Sequence, residues 1–373
     1  MTVRPLSGEL GEAAHEESPF AGRQRAAGGV AEVHFGVMLP EHFGDARAEY
    51  EAVRRAAGLI DLSFRGLLAL GGSERLRWLN AQVTNEVASL RPGDGRLAAV
   101  LEVKGHVLAD VAVFGREDSV WLDLPRNRGL PVQQALDRRI VADDVTIQNL
   151  TPQVARLLVA GPAAAGIVAE LGAREVAGLA AWQHRPARLA EAEATIAAAP
   201  WLRQPGLAVT VPLEAAEGVW DALLEAGRPR GLRPVGMRAL QWRRVEAGWP
   251  WYGLDLDETN LLMESLTPDY VSFTKGCYVG QEVVIRIEHQ GHVNRKLTGL
   301  TLHEAVVPAA GAEVRAGGRA VGRVTSAVLS PALGRAIALA YVRREHLAPG
   351  TRLVVAAEPR AIEAEVTPLP FVP

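Results

Sequence analysis

The chain has 373 residues, 48% hydrophobic and 22% charged, with a formal net charge of −3. This is the composition of a globular protein large enough for two or three domains, and the near-neutral balance excludes a strongly basic nucleic-acid-binding chain. One cysteine, Cys277, excludes an intramolecular disulfide and any all-cysteine zinc or iron–sulfur site held by a single chain.

Residues 1–30 are rich in Gly, Ala, Glu and Arg without a sustained apolar period, which predicts a loose tail. Folding signals begin near Val33-His34-Phe35. Ala46, Tyr50, Val53 and Ala57 share a helical face and predict a helix over 45–57. Gly58 is expected to stop it in the C′ role, and Leu59–Ser63 to follow as a strand. Leu67–Leu70 reads as a strand ending at Gly71-Gly72. Ser73 is placed to cap a helix running to Asn80. Leu97–Val103 and Val107–Phe114 alternate as two strands around the turn Lys104-Gly105-His106. A strand at Val120–Leu124, a helix at 129–139 with Val132, Ala135 and Leu136 inward, and a strand at Val145–Leu150 come next.

Ala155–Ala160 is a strand leading through Gly161-Pro162 into a helix that ends at Leu171. A glycine-bounded turn before a helix is where phosphate binds. This one lacks the Lys-Ser/Thr of a P-loop and the dinucleotide spacing, and Pro162 in the first helical turn is explained by geometry. The apolar stretch 157–169 is broken by Gly161, Pro162 and Gly166, so no run of membrane-spanning length is present. The N-terminus shows no basic region followed by an apolar one. A cytoplasmic protein without membrane contact is expected. Residues 176–205 are Ala-rich with little pattern. Gly206–Pro212 reads as a strand, Ala215–Ala226 as a helix, and Val235–Gly248 as a helix carrying Met237, Leu240 and Arg244.

The most unusual stretch is Lys275-Gly276-Cys277-Tyr278-Val279-Gly280-Gln281-Glu282. A thiolate is a strong soft nucleophile, and Lys275 would favour it if the two side chains converge. Gly276 and Gly280 permit tight backbone geometry. The other reading is a buried, inert cysteine. Val283–Glu288 alternates as a strand, so the octet is expected to be a loop feeding a strand. His289-Gln290-Gly291-His292 reads as a turn; two histidines without further ligands nearby do not make a metal site. After Pro308, short apolar runs at Val314, Val321–Val324, Ile337–Tyr341, Leu353–Val355 and Ile362–Val366 alternate with Gly and Pro turns, the pattern of a small antiparallel barrel.

The octet, with the following Val284-Ile285-Arg286, resembles the signature of the YgfZ-type folate-binding proteins, relatives of the glycine cleavage T-protein, an aminomethyltransferase. The resemblance runs in order through Gly58-Leu59-Ile60-Asp61-Leu62-Ser63, Trp78–Val87 with Leu90-Arg91-Pro92-Gly93, Arg244–Asp257 and Val321–Ser326. It covers about Phe35 to Val366. Glu86 stands where an aspartate is usual. The T-protein carries an Asp-Asp pair, one of whose carboxylates works on the folate-bound one-carbon unit; this chain has Ala109-Asp110. A glutamate that usually contacts the pterin is replaced by Ala208.

The resemblance implies an α+β, T-protein-like fold: two α/β subdomains with antiparallel sheets and a C-terminal β-barrel, around a central folate site. The implied division is a tail over 1–30, a folate-binding region over 31–282 and a barrel over 283–373. Tetrahydrofolate or a one-carbon derivative is the implied cofactor. Cys277, Lys275 and Asp110 are the candidate chemical groups. Arg244, Glu246, Trp251, Tyr252, Tyr278, Gln281 and Arg286 are the candidate folate contacts. Arg244 matches a glutamyl-tail carboxylate, or else pairs with Glu246 or another acid in the structure. Trp249, Trp251 and Tyr252 suit stacking on a pterin or benzoyl ring, or plugging a core. The implied role is folate binding in support of iron–sulfur enzyme assembly or repair, and through it tRNA modification. Iron–sulfur client proteins are the expected partners, with no metal and no direct nucleic-acid contact. The alternatives are an aminomethyltransferase and a non-catalytic interaction scaffold.

Overall fold

The computed structural model describes residues 15–266, 268–357 and 360–372. Two sheets and a barrel carry the fold. A six-stranded sheet has the order 184–189, 192–198, 206–212, 154–160, 57–61, 232–235, and only its last pair is parallel. A five-stranded antiparallel sheet has the order 95–101, 107–115, 120–125, 65–71, 146–149.

Each sheet has two buried faces, and strand alternation assigns residues between them. Helices Ala164–Glu170 and Ala216–Gly227 cover one face of the first sheet through Ile167, Val168, Val219 and Leu223. Helices Arg75–Asn80 and Gly129–Asp137 cover one face of the second through Leu79, Val132 and Leu136. The opposite faces meet in one shared core. Ile60, Leu158 and Ala208 reach it from the first sheet, and Leu97, Ala99, Ala112 and Phe114 from the second. Each large apolar side chain fully buried there, Ile60 among them, contributes about 1.5–3 kcal/mol. The strand Val107–Gly115 shows the division from Ala109 on: Ala109, Val111 and Val113 face the helices, while Ala112 and Phe114 face the shared core, on the side of Asp110.

The strands 295–302, 335–343, 319–330, 313–316, 352–357 and 360–367 close into a barrel. Closure removes exposed strand edges. The helix Met237–Glu246 joins barrel to sheets: its Val245 packs on Leu297, Val328, Ile337, Leu339 and Tyr341.

Several expectations need correction. Residues 15–30 are not a loose tail. Phe20 is fully buried 5.5 Å from the Trp220 ring, and Ser18 and Gln24 donate to Asp61; residues 1–14 lie outside the described set. Gly58 sits inside the strand Ala57–Asp61, where a Cβ would come within 2.5 Å of Val53 and 2.7 Å of Val235. Its role is close packing rather than a helix stop. The Ser73 hydroxyl bonds Asp144 instead of capping a helix. The Ala-rich stretch forms the hairpin 184–198. The segment expected as a strand at 283–288 belongs to the helix Gln281–Gln290. Gly280, at φ 82°, supplies the left-handed turn into it. The barrel therefore begins at Arg295, not at 283.

Candidate functional site

Asp110 is the centre of the site. Only 6% of it is exposed, its Oδ2 lies 3.8 Å from Arg65 Nη1, and its buried Oδ1 has no hydrogen-bond partner among the described residues. Burial raises its pKa above the ordinary carboxylate value; Arg65 opposes the shift and Asp123 adds to it. An orphan carboxylate oxygen in a core is costly, which makes Asp110 a candidate ligand contact. The missing acid at 109 would have faced the helices, where Ala109 packs among the apolar residues of that layer.

Arg65 is locked in place. Its Nε and Nη2 donate to the side chain and main-chain oxygen of Asp123, and its guanidinium lies 5.3 Å from the Trp201 ring centroid. Asp123 also accepts from Arg156. Burial alone would raise the Asp123 pKa, but the two arginines overcome it and hold the carboxyl below its ordinary value. An arc of aromatic rings starts at Trp201. Trp182 follows at 6.1 Å, Trp249 at 6.2 Å from Trp182, and Tyr270 at 6.5 Å from Trp249. The Tyr270 phenol is pushed well above its ordinary pKa by burial and then by Asp110, which closes the circuit back to the carboxylate. Trp182 is held at φ 68°, a strained setting for a bulky residue that costs on the order of 1 kcal/mol or more. Flat aromatic faces around one carboxylate suit a planar ring bearing N–H groups.

The octet loop lies against the same core. Lys275 Nζ donates to the carbonyls of Asn80, Val83 and Asn85 at 2.5, 2.9 and 2.7 Å, and lies 5.2 Å from the Tyr278 ring centroid. Burial pulls its pKa down to about 8. All three ammonium protons are engaged, so Lys275 staples the loop and is not an activator of Cys277. The thiol itself is exposed, which overturns the buried reading. Tyr278 is buried, its hydroxyl has no partner among the described residues, and burial pushes its pKa up to about 12. Gln281 opens the helix Gln281–Gln290, and Arg286 is exposed on it.

Arg244 and Glu246 are not folate contacts. Arg244 is fully buried and donates to Asp255, to Gln241 and the Trp249 carbonyl at 2.9 Å each, and to Ser326 at 2.8 Å. Its structural partner is thus Asp255 and not Glu246. Glu246, also fully buried, accepts from Tyr50, Arg243 and Ser330. Trp251 is a core plug, 5.0 Å from Phe64 and 5.7 Å from Phe35, with Arg244 across its face. Tyr252 is buried, and its hydroxyl bonds Glu258 at 3.1 Å and the Val107 carbonyl at 3.3 Å.

The sequence reading missed Arg65, Trp182, Trp201 and Tyr270 as site residues. Two tryptophans in an otherwise patternless Ala-rich stretch were the available signal. Ala208 is buried beside Leu158 and Ala197 in the shared core, where it offers no polar group. Among the described residues one group, Glu32, His34 and Glu41, places three metal-ligating atoms within 4.8 Å of one another. There Glu41 is already paired with Arg238. No helix among the described residues is long and apolar enough to cross a membrane.

Residues 20–275 match the family model of the GCVT N-terminal domain, and residues 295–373 that of the glycine cleavage T-protein C-terminal barrel domain. The chain is 33% identical over 331 residues to a Streptomyces coelicolor protein named aminomethyltransferase, covering 88% of this chain and 89% of that one. It is 29% identical over 337 residues to a Bacillus subtilis protein of the same name, covering 90% and 93%. The crystal structure of the glycine cleavage system aminomethyltransferase T from Bartonella henselae superposes with a TM-score of 0.88 at 22% identity, over 96% of this chain and 98% of that one, which establishes the shared fold. The chain belongs to the glycine cleavage T-protein family.

Proposed function

We propose that this chain binds a reduced folate between the aromatic arc and Asp110, and transfers a one-carbon unit to it as an aminomethyltransferase. The observation that carries this reading is the buried, unpartnered Oδ1 of Asp110 within a circuit of aromatic rings. The names of the relatives favour it over iron–sulfur upkeep. When bound, tetrahydrofolate supplies the nitrogens that accept the one-carbon unit. Asp110 accepts an N–H from the ring and holds or releases a proton at its carboxylate. Trp182, Trp201, Trp249 and Tyr270 stack on the planar system and keep water out. With Ala208 apolar, the carboxylate contact falls to Asp110. Calorimetry with tetrahydrofolate tests binding, and turnover with a lipoyl carrier protein bearing an aminomethyl group tests transfer. Asp110→Asn is expected to abolish turnover. Full turnover by that variant would exclude Asp110 as the working acid.

A second reading has its own observation. Cys277 is exposed on a loop pinned by Lys275 within an octet of the YgfZ type. It favours a folate-binding protein that supports iron–sulfur enzymes, with the thiol meeting client proteins. Complementation of a cell lacking its own YgfZ-type protein separates the two. Rescue by wild type but not by Cys277→Ala supports the second reading, and turnover unaffected by Cys277→Ala supports the first.

A further inference from the structure

We propose that Arg65 is the positioning residue of this site, fixing the Asp110 carboxylate by charge while leaving its oxygens free to accept a hydrogen bond from a ligand. The proposal rests on Asp110 being the ligand-facing acid. Four buried charged side chains form a chain across the two sheets. Arg156, on the strand Val154–Ala160, bonds Thr210 at 3.3 Å and the Gly66 carbonyl at 3.4 Å. Arg156 holds Asp123, Asp123 holds Arg65, and Arg65 faces Asp110. Two cations and two anions balance, as buried charges must.

The geometry is specific to a guanidinium. Nε and Nη2 are both spent on Asp123, and Trp201 lies across the guanidinium. Nη1 is left directed to Asp110 Oδ2 at 3.8 Å. That distance is an ion pair but too long for a hydrogen bond. The carboxylate is therefore attracted on one side without its acceptor capacity being used. No hydrogen bond to Arg65 is spent, so the carboxylate stays free for a donor. A lysine has one nitrogen and cannot hold Asp123 twice while facing Asp110. Without the cation, a buried carboxyl takes up a proton and becomes a donor, which reverses what the site offers.

The test follows Asp110 itself. Protein labelled with 13C at the aspartate carboxyls is titrated by NMR without ligand, with the Asp110 signal assigned by its loss in Asp110→Asn. Arg65→Met is expected to make Asp110 titrate at least about one pH unit higher than in wild type. Arg65→Lys should give a smaller displacement, because the charge remains and the fork does not. Tetrahydrofolate affinity measured by calorimetry should fall about tenfold or more in Arg65→Met, and its loss on acidification should begin at a correspondingly higher pH. If Arg65→Met does not fold, Arg65→Lys carries the test, and it must raise the Asp110 titration. Asp110 titrating at the wild-type pH in the folded variants would overturn the proposal. Wild type failing to bind tetrahydrofolate would instead sink the folate reading and leave the Asp110 titration to decide the role of Arg65.

Discussion

Lys275 turns inward onto three main-chain carbonyls, while Cys277, two residues on, stands in solvent. The two side chains serve different ends. Lys275→Ala should therefore leave the pH profile of iodoacetamide labelling at Cys277 superimposable on that of wild type. It should cost about 1–3 kcal/mol in urea denaturation, because three carbonyls lose a charged donor. A labelling profile displaced by the substitution would restore Lys275 as an activator of the thiol.

Arg244 and Asp255 are both inaccessible to solvent and paired with each other. Removing one partner strands a buried charge. Arg244→Met is expected to cost about 3–5 kcal/mol, and Arg244→Lys should recover little, since one ammonium cannot reach Asp255, Gln241, Trp249 and Ser326 together. Equilibrium urea unfolding measures both. A destabilisation under 1 kcal/mol would show that the pair is dispensable.

Asp110 should work against the fold that holds it. Its pKa in the native state is raised above the ordinary 3.8 by burial, so the native protein binds that proton more tightly than the unfolded chain does. Stability from this group is present at low pH and is lost as pH rises through the raised value. Asp110→Asn should then be more stable than wild type at pH 7, with the gap in melting temperature closing toward pH 4, while the variant loses turnover. A variant less stable than wild type at pH 7 would contradict this.

His184 gives the opposite dependence. It is buried, its Nδ1 has no partner among the described residues, and burial, with Arg116 and Arg185 nearby, brings its pKa down to about 4. The unfolded chain takes up this proton near pH 6.5. The group's contribution is complete above that pH and is lost as pH falls toward 4, by on the order of 3 kcal/mol in all. His184→Gln should flatten the fall in urea midpoint between pH 7 and pH 4.5. An equal fall in the variant would place the acid sensitivity elsewhere.

The fold was legible where alternation was strong. The strand Val107–Gly115 shows it: a period of two separates Ala109 from Asp110, and the observed layers follow that separation. The barrel strands were legible for the same reason. Alternation failed at Val283–Glu288, where β-branched residues occupy a helix because Gly280 sets the entry and Val284 is buried. It was blind at 184–198, since alanine on both faces carries almost no signal. The site was harder to read than the fold. Asp110, Arg65, Trp182, Trp201, Trp249 and Tyr270 come from separate segments, and only tertiary contact brings them together. Arg244 was noticed because its motif is conspicuous, but its partner Asp255 was settled by packing.

The helix Met237–Glu246 has a consequence for how the molecule comes apart. A closed barrel is the sort of unit expected to survive excision. Here its strand Arg319–Ser330 supplies Ser326 to Arg244 and Ser330 to Glu246, and Glu246 in turn holds Tyr50 on the helix Ala46–Arg55. Freed from that helix, the barrel would bare Leu297, Val328 and Tyr341 to water. Calorimetry should accordingly record one cooperative endotherm for barrel and sheets together, and a fragment starting at Arg295 should be prone to aggregate rather than melt as a module of its own.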